Sequence, residues 1–321
     1  MKSGKVRILI TESENFSQSA IRLLQNHFEV DCRDLLSEEE LIATMDVYDV
    51  LFIRLRFNFT KELLQKASKL KYILTATTGL DHIDVAYFEN KGGKVISLRG
   101  ETEFLSSIPS TAEHTWALLL ALLKKIPTAF VDVKNGNWHR DHFKGNNLHG
   151  KKLGILGLGR VGKQVAVFAN AFQMEIGYFD IQSISSEYQC FKTPQELFSW
   201  ADIISIHIPY NEENENFIDA ALLKFCHENT VLINTSRGKV WDENVIADLL
   251  KQHKLKGIAT DVLQNEFDTS KIGQNSLVML AKNNYNVIVT PHIAGATYES
   301  MEMTEDFIAN KFLVLKNKIT S

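Results

Sequence analysis

The chain has 321 residues, 45% of them hydrophobic and 23% charged, with 17 Gly and 5 Pro. These proportions exclude a disordered, collagen-like or low-complexity chain and suit two domains of about 150 residues each. A formal net charge of −4 supplies no global field for nucleic acid or an anionic membrane, so an anionic ligand must meet locally placed cations.

Cys32, Cys190 and Cys226 form neither a CxxC pair nor a disulfide framework, which points to a reducing, cytoplasmic setting. The longest apolar run, residues 116–123, is far too short to span a membrane.

The first hundred residues alternate short branched runs with helical patterns. Strands are expected at 6–11, 49–55, 72–77 and 95–98, and helices at 17–27, 38–45, 60–67 and 82–90, the last capped by Asp81. Such alternation implies a parallel sheet covered on both faces. The turn-forming stretch GETEFLSSIPS (100–110) interrupts it, and a domain boundary is placed there.

An apolar helix from Ser110 to Lys125 follows, with Ser110 or Thr111 as its N-cap. Its stripe of Trp116, Leu119, Leu120 and Leu123 suits a core or a subunit interface. After a loop at 135–150 a second alternating block begins. Its strands are expected at 152–157, 174–180, 202–208, 230–234, 256–261 and 287–290. A final helix, 297–318, capped by Thr297, packs back on the first domain. The division is therefore 1–101 plus 297–321, and 102–296.

Gly157-Leu158-Gly159-Arg160-Val161-Gly162 is a GxGxxG loop between an apolar strand and a helix. The first glycine permits the turn, the second admits a pyrophosphate to the backbone, and the third lets helix and strand pack. Asp180 ends the next strand. A carboxylate there accepts both adenosine ribose hydroxyls and repels a 2′-phosphate, which favours NAD over NADP. S-adenosylmethionine enzymes use a similar loop and acid, so the loop alone does not name the cofactor.

Open parallel sheets bind ligands beyond the carboxyl ends of their strands. Here VLINTSRG (231–238) ends in Arg237, GIATDV (257–262) carries Asp261 with Glu266 close behind, and VIVTPHIAG (287–295) carries His292. Each could be a solvated charge or a satisfied histidine by itself. Their joint placement at successive strand ends points to a catalytic crevice. The histidines 139, 142 and 149, and the group Asp81, His82 and Asp84, match no metal-ligand spacing, so no metal is expected.

GILGLGRVG, INTSRG, ATDV…E and TPHIAGAT occur in this order, together with TTGLDHIDV (77–85), AEHTWALLLAL (112–122) and GNW (136–138). The chain thereby resembles the D-isomer-specific 2-hydroxyacid dehydrogenase family, which includes phosphoglycerate dehydrogenase, over nearly its whole length. The resemblance implies two doubly wound α/β domains, a Rossmann NAD-binding domain and a flavodoxin-like substrate domain meeting at a cleft, and a homodimer built around the helix beginning at Ser110.

It also implies site roles. Arg237 would bind the substrate carboxylate, His292 would be the acid/base, and Glu266 would pair with His292 and favour the imidazolium. Asp261 would contact the nicotinamide end of NAD, with Arg160 and Val161 at the pyrophosphate and Thr235, Ser236 and Gly295 also lining the cofactor site. Thr78 and Gly79 match a loop whose N–H groups meet the substrate carboxylate. Arg54 stands where phosphoglycerate dehydrogenases place a phosphate-binding arginine, which makes 3-phosphoglycerate a candidate substrate.

Two loops depart from the family pattern. Phe267 follows Glu266 where proline is common, and Ser97-Leu98-Arg99-Gly100 replaces a strand followed by Asn-x-Pro. No C-terminal regulatory domain is expected. The expected activity is hydride transfer between NAD and a small D-2-hydroxy or 2-keto acid; the alternative is an NAD(H)-sensing, corepressor-like protein of the same fold.

Overall fold

The computed structural model describes residues 5–320. The chain divides into two compact units. One contains the chain through Ser107 and again from Ala296, and the other is Ile108–Gly295. The change of unit therefore falls after a short helix, Thr102–Ser106, within the stretch that interrupts the alternation. This helix stays with the first unit because Phe104 stacks on Phe307 of the C-terminal helix, centroids 4.1 Å apart.

The first unit is a five-stranded parallel sheet of β1 (Arg7–Ile10), β2 (Glu29–Cys32), β3 (Val50–Ile53), β4 (Tyr72–Thr75) and β5 (Lys94–Ile96), in the order β2-β1-β3-β4-β5. That is the flavodoxin-like order. β3 is buried along its whole length, as a central strand covered on both faces must be.

Leu9, Leu51, Ile53 and Ile73 share one core with Leu41 and Met45 of the helix Glu38–Met45. On the opposite side the C-terminal helix, Tyr298–Thr320, packs on the helix Gln18–Gln25, and Phe312 sits against Tyr72 and Phe28 at 5.4 and 5.3 Å. Thr297 caps this helix, accepting from Ser300 N at 3.2 Å. Asp84, rather than Asp81, caps the helix Val85–Asn90, accepting from Tyr87 N at 3.0 Å.

The second unit has seven parallel strands: β6 (Lys152–Leu156), β7 (Glu175–Phe179), β8 (Gln189–Cys190), β9 (Ile203–Ile206), β10 (Val231–Asn234), β11 (Gly257–Thr260) and β12 (Val287–Val289). Their order is β12-β11-β10-β9-β6-β7-β8, a Rossmann arrangement whose order reverses between β6 and β9.

Alternate residues serve opposite faces, as the pleat requires. Ile233 and Ala259 join the helices Ser110–Leu123 and Arg160–Ala171, while Leu232 and Ile258 join Trp241, Leu250 and Leu277. The stripe of Trp116, Leu119 and Leu123 is therefore core; the Trp116 indole also donates to Val165 O at 3.2 Å. The helix Ser110–Leu123 begins after Pro109 with no side-chain cap, so neither Ser110 nor Thr111 serves as one. Left-handed Lys125, φ 53°, separates it from a further helix, Ile126–Lys134.

Candidate active site

The glycine loop forms at the switch point. Gly157 has φ 93°, and a Cβ there would lie 2.8 Å from His207 O. A Cβ on Gly162 would fall 2.2 Å from Gly157 O, so the helix Arg160–Ala171 can approach the turn only with glycine there. A Cβ on Gly159 would meet nothing within 4 Å. Space for a ligand thus opens at the second glycine, where the helix starts with no side-chain cap on its N–H groups.

Asp180 follows β7 and accepts from Leu158 N at 2.8 Å and Gln182 N at 2.9 Å. Two of a carboxylate's roughly four lone-pair sites are thereby used, and the others can meet hydroxyls. Arg160 lies over Ile108 O at 3.4 Å. Loop, helix start and acid together fit a dinucleotide.

The ends of β10, β11 and β12 bring the reactive residues together. Buried Asn234 shapes the turn that carries Arg237. Its amide oxygen accepts from Ser236 N and Oγ at 2.9 and 2.8 Å, and its nitrogen donates to Arg237 O at 2.9 Å. Arg237 Nη1 donates to Ser236 O at 2.7 Å. Thr235 is tied to Thr115 of the neighbouring helix, Oγ to Oγ at 2.7 Å. Gly238 lies so close to Leu263 that a Cβ would meet its carbonyl carbon at 2.1 Å, which sets Arg237 beside the segment bearing Glu266.

Glu266 Oε1 is 2.6 Å from His292 Nδ1, and its Oε2 accepts from Leu263 N at 3.1 Å. The imidazole is fixed through Nδ1; Nε2 has no hydrogen-bond partner among the described residues. His292 itself has φ 55°, an uncommon backbone conformation for a residue other than glycine. Buried Glu243 braces the unusual segment after Glu266, accepting from Gln264 N at 2.7 Å and Asn275 Nδ2 at 2.6 Å. Burial pushes its carboxyl up, and these two bonds pull it partly back.

Asp261 and Arg54, both expected at a ligand, are also engaged by protein groups. Asp261 is buried, with both oxygens directed at its own domain. Oδ1 accepts from Thr290 Oγ1 at 2.6 Å and Ile293 N at 2.9 Å, and Oδ2 from Ala294 N at 2.7 Å. Burial opposes its ionisation, but bonds from His114, Thr290, Ile293 and Ala294 outweigh it and hold the carboxyl below its usual range. Asp261 is a clamp on the His292 loop.

Arg54, in the first unit, pairs with buried Glu305 at 2.6 Å through Nη2 and 2.8 Å through Nε, while Nη1 donates to Glu14 O at 2.8 Å. Each guanidinium nitrogen thus has a partner inside that unit, which braces Arg54 there. Thr78 and Gly79 follow β4, where Thr77 Oγ1 donates to Gly79 O at 2.9 Å; their amides carry no hydrogen bond among the described residues. Gly295 closes the His292 loop with open space around its α-carbon.

Sequence reasoning missed Asn234, His114, Glu243 and His207. His207 follows β9 beside Gly157, with Nε2 2.7 Å from Ser205 Oγ. Burial, then the nearby Arg160 charge, pushes its imidazole down to about 3. A polar residue closing an apolar run, as in VLIN and IISIH, was the available signal.

A profile of the D-isomer specific 2-hydroxyacid dehydrogenase, NAD binding domain, matches residues 116–294. The chain belongs to the D-isomer-specific 2-hydroxyacid dehydrogenase family. Among its dehydrogenase relatives, the D-3-phosphoglycerate dehydrogenase of Methanocaldococcus jannaschii is 34% identical over 95% of this chain and 56% of that protein. The hydroxypyruvate reductase of Thermotoga maritima is 31% identical over 92% of this chain and 94% of its own length.

The D-lactate dehydrogenase of Aquifex aeolicus, solved with NAD and lactic acid, superposes with a TM-score of 0.79 at 27% identity, covering 97% of this chain and 96% of that one. The chain spans about half the length of the phosphoglycerate dehydrogenases it matches. Among the described residues of this family member, no helix is long and apolar enough to cross a membrane, and no three His, Cys, Asp or Glu side chains gather as a metal site.

Proposed function

We propose that the chain is an NAD-dependent oxidoreductase interconverting a small D-2-hydroxy acid and its 2-keto acid. The observation that carries this reading is the His292–Glu266 pair, Nδ1 to Oε1 at 2.6 Å, in the same unit as the glycine loop and Asp180. When bound, the dinucleotide supplies or accepts the hydride. Gly157, Gly159, Arg160, Val161 and Gly162 would hold its pyrophosphate and Asp180 its ribose, with Thr235, Ser236 and Gly295 along the remainder. Asp180 disfavours a 2′-phosphate, so NAD is selected over NADP.

Arg237 grips the substrate carboxylate as a planar guanidinium. His292 Nε2 gives a proton to the forming alkoxide in reduction and removes the hydroxyl proton in oxidation. Glu266 holds Nδ1–H and so presents Nε2 in one orientation. The pairing of Arg54 with Glu305 favours an unphosphorylated acid over a phosphorylated one.

Exposed Phe130 and Trp138, 66% and 82% accessible, with Ile126 and Val133, support a homodimer through the helix Ile126–Lys134; sedimentation velocity showing only monomer would refute it. The unpaired thiols of Cys32, Cys190 and Cys226 support a reducing, cytoplasmic setting.

The test is NADH oxidation against pyruvate, glyoxylate, hydroxypyruvate, 3-phosphohydroxypyruvate and bulkier keto acids, with Arg237→Ala as control. Turnover of an unphosphorylated acid, abolished in the variant, is expected. NADH binding without turnover of any acid would overturn the enzyme reading in favour of a nucleotide-sensing protein.

A further inference from the structure

Asp261 does more than stabilise a turn. Its backbone oxygen accepts from His292 N at 2.8 Å, and its carboxylate accepts from Ile293 N, Ala294 N and Thr290 Oγ1. One residue thus engages the loop on both sides of the histidine and holds it at φ 55°, a conformation that persists only where the surroundings over-determine it.

Behind Asp261 stands His114, in the helix Ser110–Leu123. Its Nε2 lies 3.1 Å from Thr290 Oγ1 and 3.3 Å from Asp261 Oδ1. The Thr290 hydroxyl donates its only hydrogen to Asp261, so its oxygen must accept from His114. This places the His114 proton on Nε2, between the hydroxyl and the carboxylate. Removing it would leave a buried carboxylate without one of its donors and the threonine free to rotate.

We propose that His114 is a positioning residue for the reaction: through Thr290 and Asp261 it sets the backbone angle at which His292 presents Nε2. The proposal rests on His292 handling the substrate proton. It makes the N-terminal half of the helix Ser110–Leu123 part of the site although His114 itself touches no reacting atom.

The experiment compares His114→Leu with His114→Gln, whose side-chain amide can still donate, alone and in an Asp261→Asn background. For His114→Leu, kcat is expected to fall about tenfold, with the KM for the keto acid and the NADH Kd each within about twofold of wild type. His114→Gln should recover most of the loss. In the Asp261→Asn background the further loss should be below about twofold, because the two residues act as one unit.

Amide hydrogen exchange at Ile293 and Ala294, measured without substrate, should quicken about tenfold in His114→Leu and not in His114→Gln. Unchanged kcat and exchange in a folded His114→Leu protein would overturn the proposal, as would fully additive losses with Asp261→Asn. The exchange readout needs no turnover. A wild type inert toward every keto acid would count against the enzyme reading, and the exchange result would still decide the clamp.

Discussion

Replacing Arg54 by methionine separates a structural arginine from a substrate-binding one. Glu305 has 1% of its side chain exposed and Arg54 17%, so the variant leaves a carboxylate buried opposite a thioether. Breaking a buried pair from one side costs about 3–5 kcal/mol, because the remaining charge cannot reach water. The bonds to Glu14 O and Asn15 O go with it.

Burial already pushes the Glu305 carboxyl up, and Arg54 pulls it back; without Arg54 it rises further. A carboxyl raised in the folded state contributes stability that is full below its unfolded pKa and is lost as pH rises through the folded one. The deficit of Arg54→Met should therefore be small near pH 4 and full at pH 7. Adding Glu305→Gln, which keeps an acceptor for Ser17 N, should restore most of the stability at pH 7. Urea unfolding across that range measures both effects. A variant within about 1 kcal/mol of wild type at pH 7, with a raised KM for 3-phosphohydroxypyruvate alone, would refute the reasoning and return Arg54 to the substrate.

The glycine loop gives a paired prediction. Gly159→Ala should leave stability within about 1 kcal/mol yet weaken NADH binding at least tenfold, because its methyl enters the space a pyrophosphate would use. Gly162→Ala should lower both, its Cβ meeting Gly157 O; calorimetric titration showing normal NADH affinity in Gly159→Ala would contradict this use of the loop. His207 predicts a pH slope. With an imidazole near 3 in the folded state and about 6.5 unfolded, the unfolded chain binds the extra proton. Its contribution is complete above pH 6.5 and falls by about 1.4 kcal/mol per unit toward pH 3. The stability difference between wild type and His207→Gln should shrink at that rate between pH 6 and 4, and parallel curves would exclude a neutral His207.

The parts of the fold that sequence reasoning found are those where burial constrains composition on both faces. β3 and β10 are covered on each side and appear as VLFI and VLIN. β2, EVDC, has one neighbour and a half-exposed pattern, so no branched run marks it. The helix Ile126–Lys134 was unseen because its separation from the preceding helix is a single left-handed lysine, which no glycine or proline announces.

The same distinction runs through the site. Arg237, Glu266 and His292 stand at strand ends, where their own motifs place them. Whether a charged group remains available for a ligand depends on a neighbour that may come from anywhere in the chain: Glu305 lies 251 residues from Arg54, and the loop that occupies Asp261 is about 30 residues on. Local pattern carries the identity and placement of a charge. Its neutralisation belongs to tertiary packing, which is why the strand-end positions of Arg54 and Asp261 are legible in the sequence and their protein partners are not.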